Sequence, residues 1–156
     1  MGSFFKEVEA RQALPNAAAI FDWLLDDNRF QGNSWTKNNK AKFTKQVKRL
    51  DGFSDKAFRK KTSNEAYPAA CGGKRNRRMK PYALFSVGSS LGVDFVRHIR
   101  NAIAHGHINL YTSGNQTYLE AIDYSRNKAQ SSYIAMPITY LESIFNIYHS
   151  ITGQKR

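Results

Sequence analysis

The apolar residues of the chain recur mostly at the three- and four-residue spacing of an α-helix. This spacing predicts helices over about 15–27, 38–50, 91–104 and 137–152, with weaker helical signals over 4–13 and 54–61. The apolar residues that follow Pro81 predict an earlier helical piece, split from the third helix by glycines. Gly106 comes directly after the third helix and suits the left-handed conformation that often ends a helix.

The period changes to strict alternation after Gly106. Residues 107–111 and 118–124 both alternate apolar and polar positions, and 113–115 supplies the turn between them. This pattern predicts a β-hairpin. Residues 62–81 and 125–132 are predicted as loops. The expected fold is therefore mainly α, a helical bundle with one small hairpin between its last two long helices, in a single domain over 1–156.

Composition places the chain among ordinary folded proteins. Apolar residues make up 41% and aromatic residues 13% of the sequence, which is too much for a disordered chain. The lone cysteine, Cys71, excludes an internal disulfide framework and favours a reducing compartment. No run approaches the roughly 20 apolar residues that cross a bilayer, and Glu7 turns the N-terminus acidic too early for a signal peptide. A soluble cytoplasmic protein without a membrane partner is expected.

The excess of positive charge lies in one stretch. Residues 37–80 hold fifteen Lys and Arg against three acidic residues, whereas the rest of the chain has nine of each sign. This basic insertion or extended region indicates a polyanion as partner, and nucleic acid is the commonest. A solvated basic surface is the alternative. The candidate contacts to RNA are Lys60, Lys61, Lys74, Arg75, Arg77 and Arg78.

Candidate chemistry concentrates in residues 95–107, which hold two arginines and three of the four histidines. Helical geometry puts Arg97, His98, Asn101 and His105 on one face, with Arg100 roughly 140° around from His105. A histidine can move a proton near neutral pH, and an arginine can bind a phosphate. These suffice to cleave RNA through its own 2′-hydroxyl without a metal or other cofactor. Interaction with the helix dipole is the alternative reason for such residues.

The segment Arg100-Asn101-Ala102-Ile103-Ala104-His105 resembles the Arg-x4-His signature of HEPN-domain ribonucleases. The resemblance covers roughly residues 84–152 and implies a HEPN-like helical bundle. It implies a homodimer with a composite site, metal-independent cleavage of RNA and a role as a toxin or defence effector. Arg100 would stabilise the scissile phosphate, His105 would act as general base or acid, and Asn101 would position one of them.

The position two residues after His105 departs from the pattern of some members of this family. Some relatives that a nucleotidyltransferase antitoxin controls carry Tyr two residues after the histidine, where this chain has His107. The resemblance therefore does not imply that mode of control, and His107, like His98 and Arg97, is an auxiliary candidate. A metal site is not expected, because His105 and His107 lack helical ligand spacing. A non-catalytic RNA-binding or scaffold domain, and a subunit that recruits an antitoxin or other regulatory protein, remain open.

Overall fold

The computed structural model describes residues 10, 12, 14, 16–25, 35–50, 53, 57–70, 80–88 and 90–153. Within these residues the chain forms four helices and five strands. In chain order they are α1 (Ala17–Leu24), α2 (Lys37–Lys48), β1 (Phe58–Lys60), β2 (Tyr82–Phe85), α3 (Leu91–Ala104), β3 (Ile108–Ser113), β4 (Gln116–Ala121), β5 (Ser132–Pro137) and α4 (Tyr140–Thr152).

The five strands form one mixed sheet in the order β1-β2-β5-β4-β3. β1 runs parallel to β2, and the other neighbours are antiparallel. β3 and β4 form the predicted hairpin, whose turn contains Gly114 at a φ of 60°. β5 lies in the interior of the sheet, and all six of its residues are buried. β5 therefore connects the hairpin to β2 and β1, which come from the middle of the sequence.

Helices and one face of the sheet share a single hydrophobic core. Phe85, Leu119 and Met136 on the strands are buried in the same cluster as Phe95 and Ile99 of α3. The helices contribute aromatic contacts, such as the edge-on packing of Trp23 of α1 on Phe145 of α4 at 5.4 Å. A smaller cluster of Ile122, Tyr133 and Ala135 lies apart from this core. The architecture is thus α+β, with helices packed on a sheet.

Both ends of α3 are tightly specified by local chemistry. At the N-terminus the Ser90 hydroxyl accepts the N–H of Val93 at 3.3 Å, as an N-cap does. At the C-terminus Gly106 adopts a φ of 75°, its N–H donates to Ile103, and the N–H of His107 donates to Ala102. This pair of bonds is a Schellman motif. It ends the helix at the last residues of the predicted signature and turns the chain into β3.

The structure corrects the predicted fold class. The chain is not the predicted mainly α helical bundle with one small hairpin, because β1, β2 and β5 extend that hairpin into a five-stranded sheet. The predicted helical piece after Pro81 is strand β2, and the helix predicted over 54–61 is wrong at its end, where β1 lies. Short apolar runs such as Tyr82–Phe85 carry no usable period, so helix and buried strand look alike. The helix predicted over 4–13 lies mainly outside the described residues.

Other predicted elements are confirmed. The predicted helix over 91–104 has the same bounds as α3, and α1, α2 and α4 lie within two or three residues of their predicted bounds. Within the described part of the chain, no helix combines the length and the apolar character that crossing a membrane requires.

Candidate active site

The residues of the Arg-x4-His signature occupy the last turn and a half of α3. Asn101 connects two of its neighbours, because its amide oxygen accepts a hydrogen bond from Arg100 at 3.1 Å and its amide nitrogen donates to Asp123 at 3.3 Å. Arg100 and Asn101 are both half-buried. The amide of Asn101 therefore holds the guanidinium of Arg100 against the end of the helix and fixes its direction.

The carboxylate that accepts the hydrogen bond from Asn101 belongs to Asp123, which follows a strand of the sheet. Asp123 lies two residues after β4 and is 3% exposed. Its backbone N–H donates to the Ser132 hydroxyl at 2.9 Å, and its carboxylate accepts the N–H of Tyr124 at 2.8 Å. Burial raises the pKa of Asp123, but hydrogen bonds from His98, Asn101 and Tyr124 outweigh burial and lower that pKa overall. The carboxylate is therefore ionised at neutral pH.

His98 lies two residues before the signature and points into the protein, where it is 2% exposed. Its Nδ1 lies 2.9 Å from the carboxylate of Asp123, and its Nε2 lies 2.8 Å from the carbonyl oxygen of Ser86. The ring is therefore held between Asp123 and Ser86, whose hydroxyl oxygen also lies 3.4 Å from Nε2. His98 thus ties α3 to Asp123 and has no surface to offer a substrate.

His105, unlike His98, lies in an exposed environment at the C-terminal end of α3. It is the C-cap residue, its backbone N–H donates to Asn101 at 3.0 Å, and its side chain is exposed. Its ring lies 6.1 Å from the exposed ring of His107, which in turn packs edge-on against Tyr124 at 5.0 Å. Three exposed rings therefore line the side of the site that faces solvent.

The polar and aromatic groups meet because Asp123 and Tyr124 are adjacent. Asp123 anchors the chain of hydrogen bonds that leads through Asn101 to Arg100, and Tyr124 begins the row of rings that leads to His105. Sequence analysis identified neither Asp123 nor Tyr124 as a site residue. The alternation over 118–124 contained the signal, because it predicts a strand that leads to Asp123. Pairing of that strand with β3 brings its end close to the end of α3.

The side chain of Arg97 contacts the N-terminal half of α3. Its Nε donates to the carboxylate of Asp94 at 3.3 Å, and that carboxylate also accepts the N–H of Gly88 at 2.7 Å. Asp94 is buried and Arg97 is partly exposed. The pair fastens the loop before α3 to the helix, so Arg97 serves this contact in the structure.

The predicted RNA-binding residues divide into two groups. Lys74, Arg75, Arg77 and Arg78 lie outside the described residues, as does Cys71. Lys60 is exposed at the end of β1, and Lys61 lies over the ring of Tyr67 at 5.2 Å and donates to the carbonyl of Thr62. Lys60 is the last residue of the edge strand β1 and Lys61 follows it, so both lie at the opposite edge of the sheet from β3.

Helix α2 carries a second basic surface that sequence analysis did not single out within residues 37–80. Thr36 caps the helix, and only Phe43 and Val47 are buried, so its cations face outward. An open groove of about 700 Å³ runs between α2 and the start of α3. Another of about 640 Å³ separates α2 from α4. Basic residues dominate the first groove, which is lined by Lys37, Lys40, Ala41, Thr44, Lys45, Lys48, Arg49 and Ser90.

Across the described ranges, no three His, Cys, Asp or Glu residues come together as a group that could bind a metal ion.

In comparisons with known proteins, no curated protein and no solved structure matches the chain. One family model, described as HEPN pEK499 p136, matches residues 30–155. That match covers most of the chain, including all of α2, α3 and the sheet. The chain therefore belongs to the HEPN pEK499 p136 family.

Proposed function

We propose that the protein is a metal-independent endoribonuclease of the HEPN type, with Arg100, Asn101 and His105 as its active-site residues. The observation that carries this proposal is the end of α3, which holds both an exposed imidazole, His105, and an arginine that Asn101 holds in place. Family membership supports the HEPN assignment. The groups at this site are those that phosphoryl transfer from RNA requires.

In the proposed reaction, His105 accepts the proton of a 2′-hydroxyl as the oxygen attacks the adjacent phosphorus. The bond from phosphorus to the 5′-oxygen breaks, and that oxygen takes a proton from a second imidazole in its protonated form. Arg100 stabilises the negative charge that builds on the phosphoryl oxygens. The products are a 2′,3′-cyclic phosphate and a 5′-hydroxyl. DNA lacks the attacking group and is not a substrate.

The second imidazole in this proposal is the His105 of another copy of the chain. Arg100 and His105 lie five residues apart, roughly 140° around a regular helix, so one chain does not direct both at the same point. A two-fold homodimer would bring the exposed ends of two α3 helices together and pool their side chains. The cations of α2 and of the edge strand would bind the flanking RNA backbone through their charge.

Cleavage in EDTA is the test of this proposal. Wild-type protein should cut a mixed-sequence RNA, and His105→Ala and Arg100→Ala should each lower the rate by about 100- to 10,000-fold, the range for losing a general base or a charge-stabilising donor. Gln12→Ala, an exposed change far from α3 in sequence, serves as the control and should cut at the wild-type rate. Equal cleavage by wild type and His105→Ala would reject the proposed role of this histidine.

The alternative is a non-catalytic RNA-binding domain, and the basic grooves beside α2 favour it because they need no chemistry at α3. This alternative predicts salt-sensitive RNA binding without cleavage.

For the biological role we propose a toxin or defence effector. Expression should then slow growth, and His105→Ala should relieve the effect while the protein still accumulates to the same level.

A further inference from the structure

The loop that follows β4 carries an exposed aromatic ring beside the proposed active site. Among the residues that the structure describes, Tyr124 is the one large apolar side chain that is exposed, at 44%. Trp35, which precedes α2, is by contrast buried against Phe43 at 4.9 Å and Tyr148 at 5.3 Å. Tyr124 is therefore the better candidate for a stacking surface.

The backbone of Tyr124 is held in place although its ring is exposed. Its N–H donates to the buried carboxylate of Asp123, and it forms an isolated antiparallel bridge with Gln130. The edge-on contact with His107 covers only part of the ring. A ring that is fixed at its base and open on its face loses little conformational entropy on binding a planar group.

Two cations lie on the same loop within four residues of this ring. Arg126 and Lys128 are both exposed. The loop closes on itself through the N–H of Ser125, which donates to the carbonyl of Ala129 at 2.8 Å, and the N–H of Lys128, which donates to Ser125 at 2.9 Å. Lys128 adopts a φ of 67°, a left-handed conformation that costs an ordinary side chain energy. The chain thus holds a cation where glycine or asparagine would be easier.

We propose that the loop of residues 124–130 is a nucleotide-binding subsite, in which Tyr124 stacks on an unpaired base and Arg126 and Lys128 contact the neighbouring phosphates. This pairing of a stacking ring with backbone cations is how proteins bind unpaired nucleotides. A base inside a duplex has both faces covered and is excluded. The inference rests on the proposed function, because it names the form of RNA that is presented to Arg100 and His105.

The test measures binding by a full-length chain that carries His105→Ala, so that no RNA is consumed. The probes are a fluorescent single-stranded RNA and a series in which one nucleotide at a time is abasic, keeping its phosphate. With Tyr124 present, at least one abasic position should weaken binding by about 5- to 100-fold, the usual value of a stacked base. With Tyr124→Ala that same position should matter less than twofold, and with Tyr124→Phe the loss should persist.

A second pair of variants tests whether Arg126 and Lys128 contribute to RNA binding. Lys128→Gly removes the charge and suits the φ of 67°, so it should weaken binding and lower the slope of log affinity against log salt by about one without unfolding the loop. Arg126→Gln should act alike. The inference is overturned if no abasic penalty depends on Tyr124, or if the protein does not bind RNA at low salt. Because binding alone is measured, it can hold where cleavage is absent, and fail where His105-dependent cleavage is present.

Discussion

His98 and His105 show how two identical side chains on one helix face come to differ. They lie seven residues apart on α3, roughly 20° from alignment on a regular helix. His98 is buried, and its two ring nitrogens lie within hydrogen-bond distance of Asp123 and Ser86. His105 is exposed where the helix ends. The segment after β4 makes the difference, because Asp123 places a carboxylate against His98, whereas the exposed ring of Tyr124 packs against His107 and leaves His105 open to solvent. Of the two side chains, only that of His105 is accessible to a substrate.

The largest stability effect should come from breaking the buried pair. His98→Ala leaves the carboxylate of Asp123 buried without its main donor, and removing one partner of a buried pair costs about 3–5 kcal/mol. Urea unfolding monitored by circular dichroism measures this loss. His105→Ala is the matched control on the same helix and should change stability by no more than about 0.5 kcal/mol. A loss below about 1 kcal/mol in His98→Ala would contradict the structural role given to His98.

The start of α3 offers a second way to separate structure from chemistry. Gly92 packs against α2, and a Cβ atom there would lie 2.7 Å from the Cα of Thr44. Gly92→Ala should therefore destabilise the protein by about 1–3 kcal/mol, since backbone must move, although alanine favours the helix. Gly88→Ala, whose Cβ would meet nothing within 4 Å, is the control and should have little effect. Equal unfolding midpoints for the two variants would show that α2 does not press on α3 here.

The pH dependence of stability should carry the signature of Asp123. Its pKa is lower in the folded protein than the ordinary 3.8, so its ionised form favours folding above that value, and the contribution is lost as pH falls through the folded pKa. The difference in unfolding free energy between wild type and Asp123→Asn should then be greatest near neutral pH and shrink below about pH 4. Unfolding curves from pH 2 to pH 7 measure it, and a constant difference would contradict this account.

Sequence patterns predicted the parts of the fold that local signals specify. The bounds of α3 followed from its apolar period and from Gly106, and the hairpin followed from alternation around 113–115. β1, β2 and β5 were missed, because a short apolar run such as Tyr82–Phe85 has no distinguishing period. Residues such as Tyr133 and Met136 are buried on both faces of the sheet, so β5 shows no alternation either.

The site was predictable to the extent that its residues are neighbours in sequence. Arg100, Asn101 and His105 were all named from the signature. Asp123 was not, because it acts from 22 residues beyond Asn101 and only the pairing of strands brings it back to α3. His98 could not be told from His105 for the same reason, since its burial depends on Ser86 and on the end of β4.

The most direct test of the central claim compares two substrates that differ by one oxygen atom. An RNA with a mapped cut site and the same RNA with a single 2′-deoxynucleotide on the 5′ side of that cut are incubated with wild-type protein and with His105→Ala in EDTA. The account predicts that wild type cuts only the first, leaving a 2′,3′-cyclic phosphate, and that His105→Ala cuts neither at a comparable rate. Cleavage of the deoxy-substituted RNA at the same bond, or undiminished cleavage by His105→Ala, would contradict it.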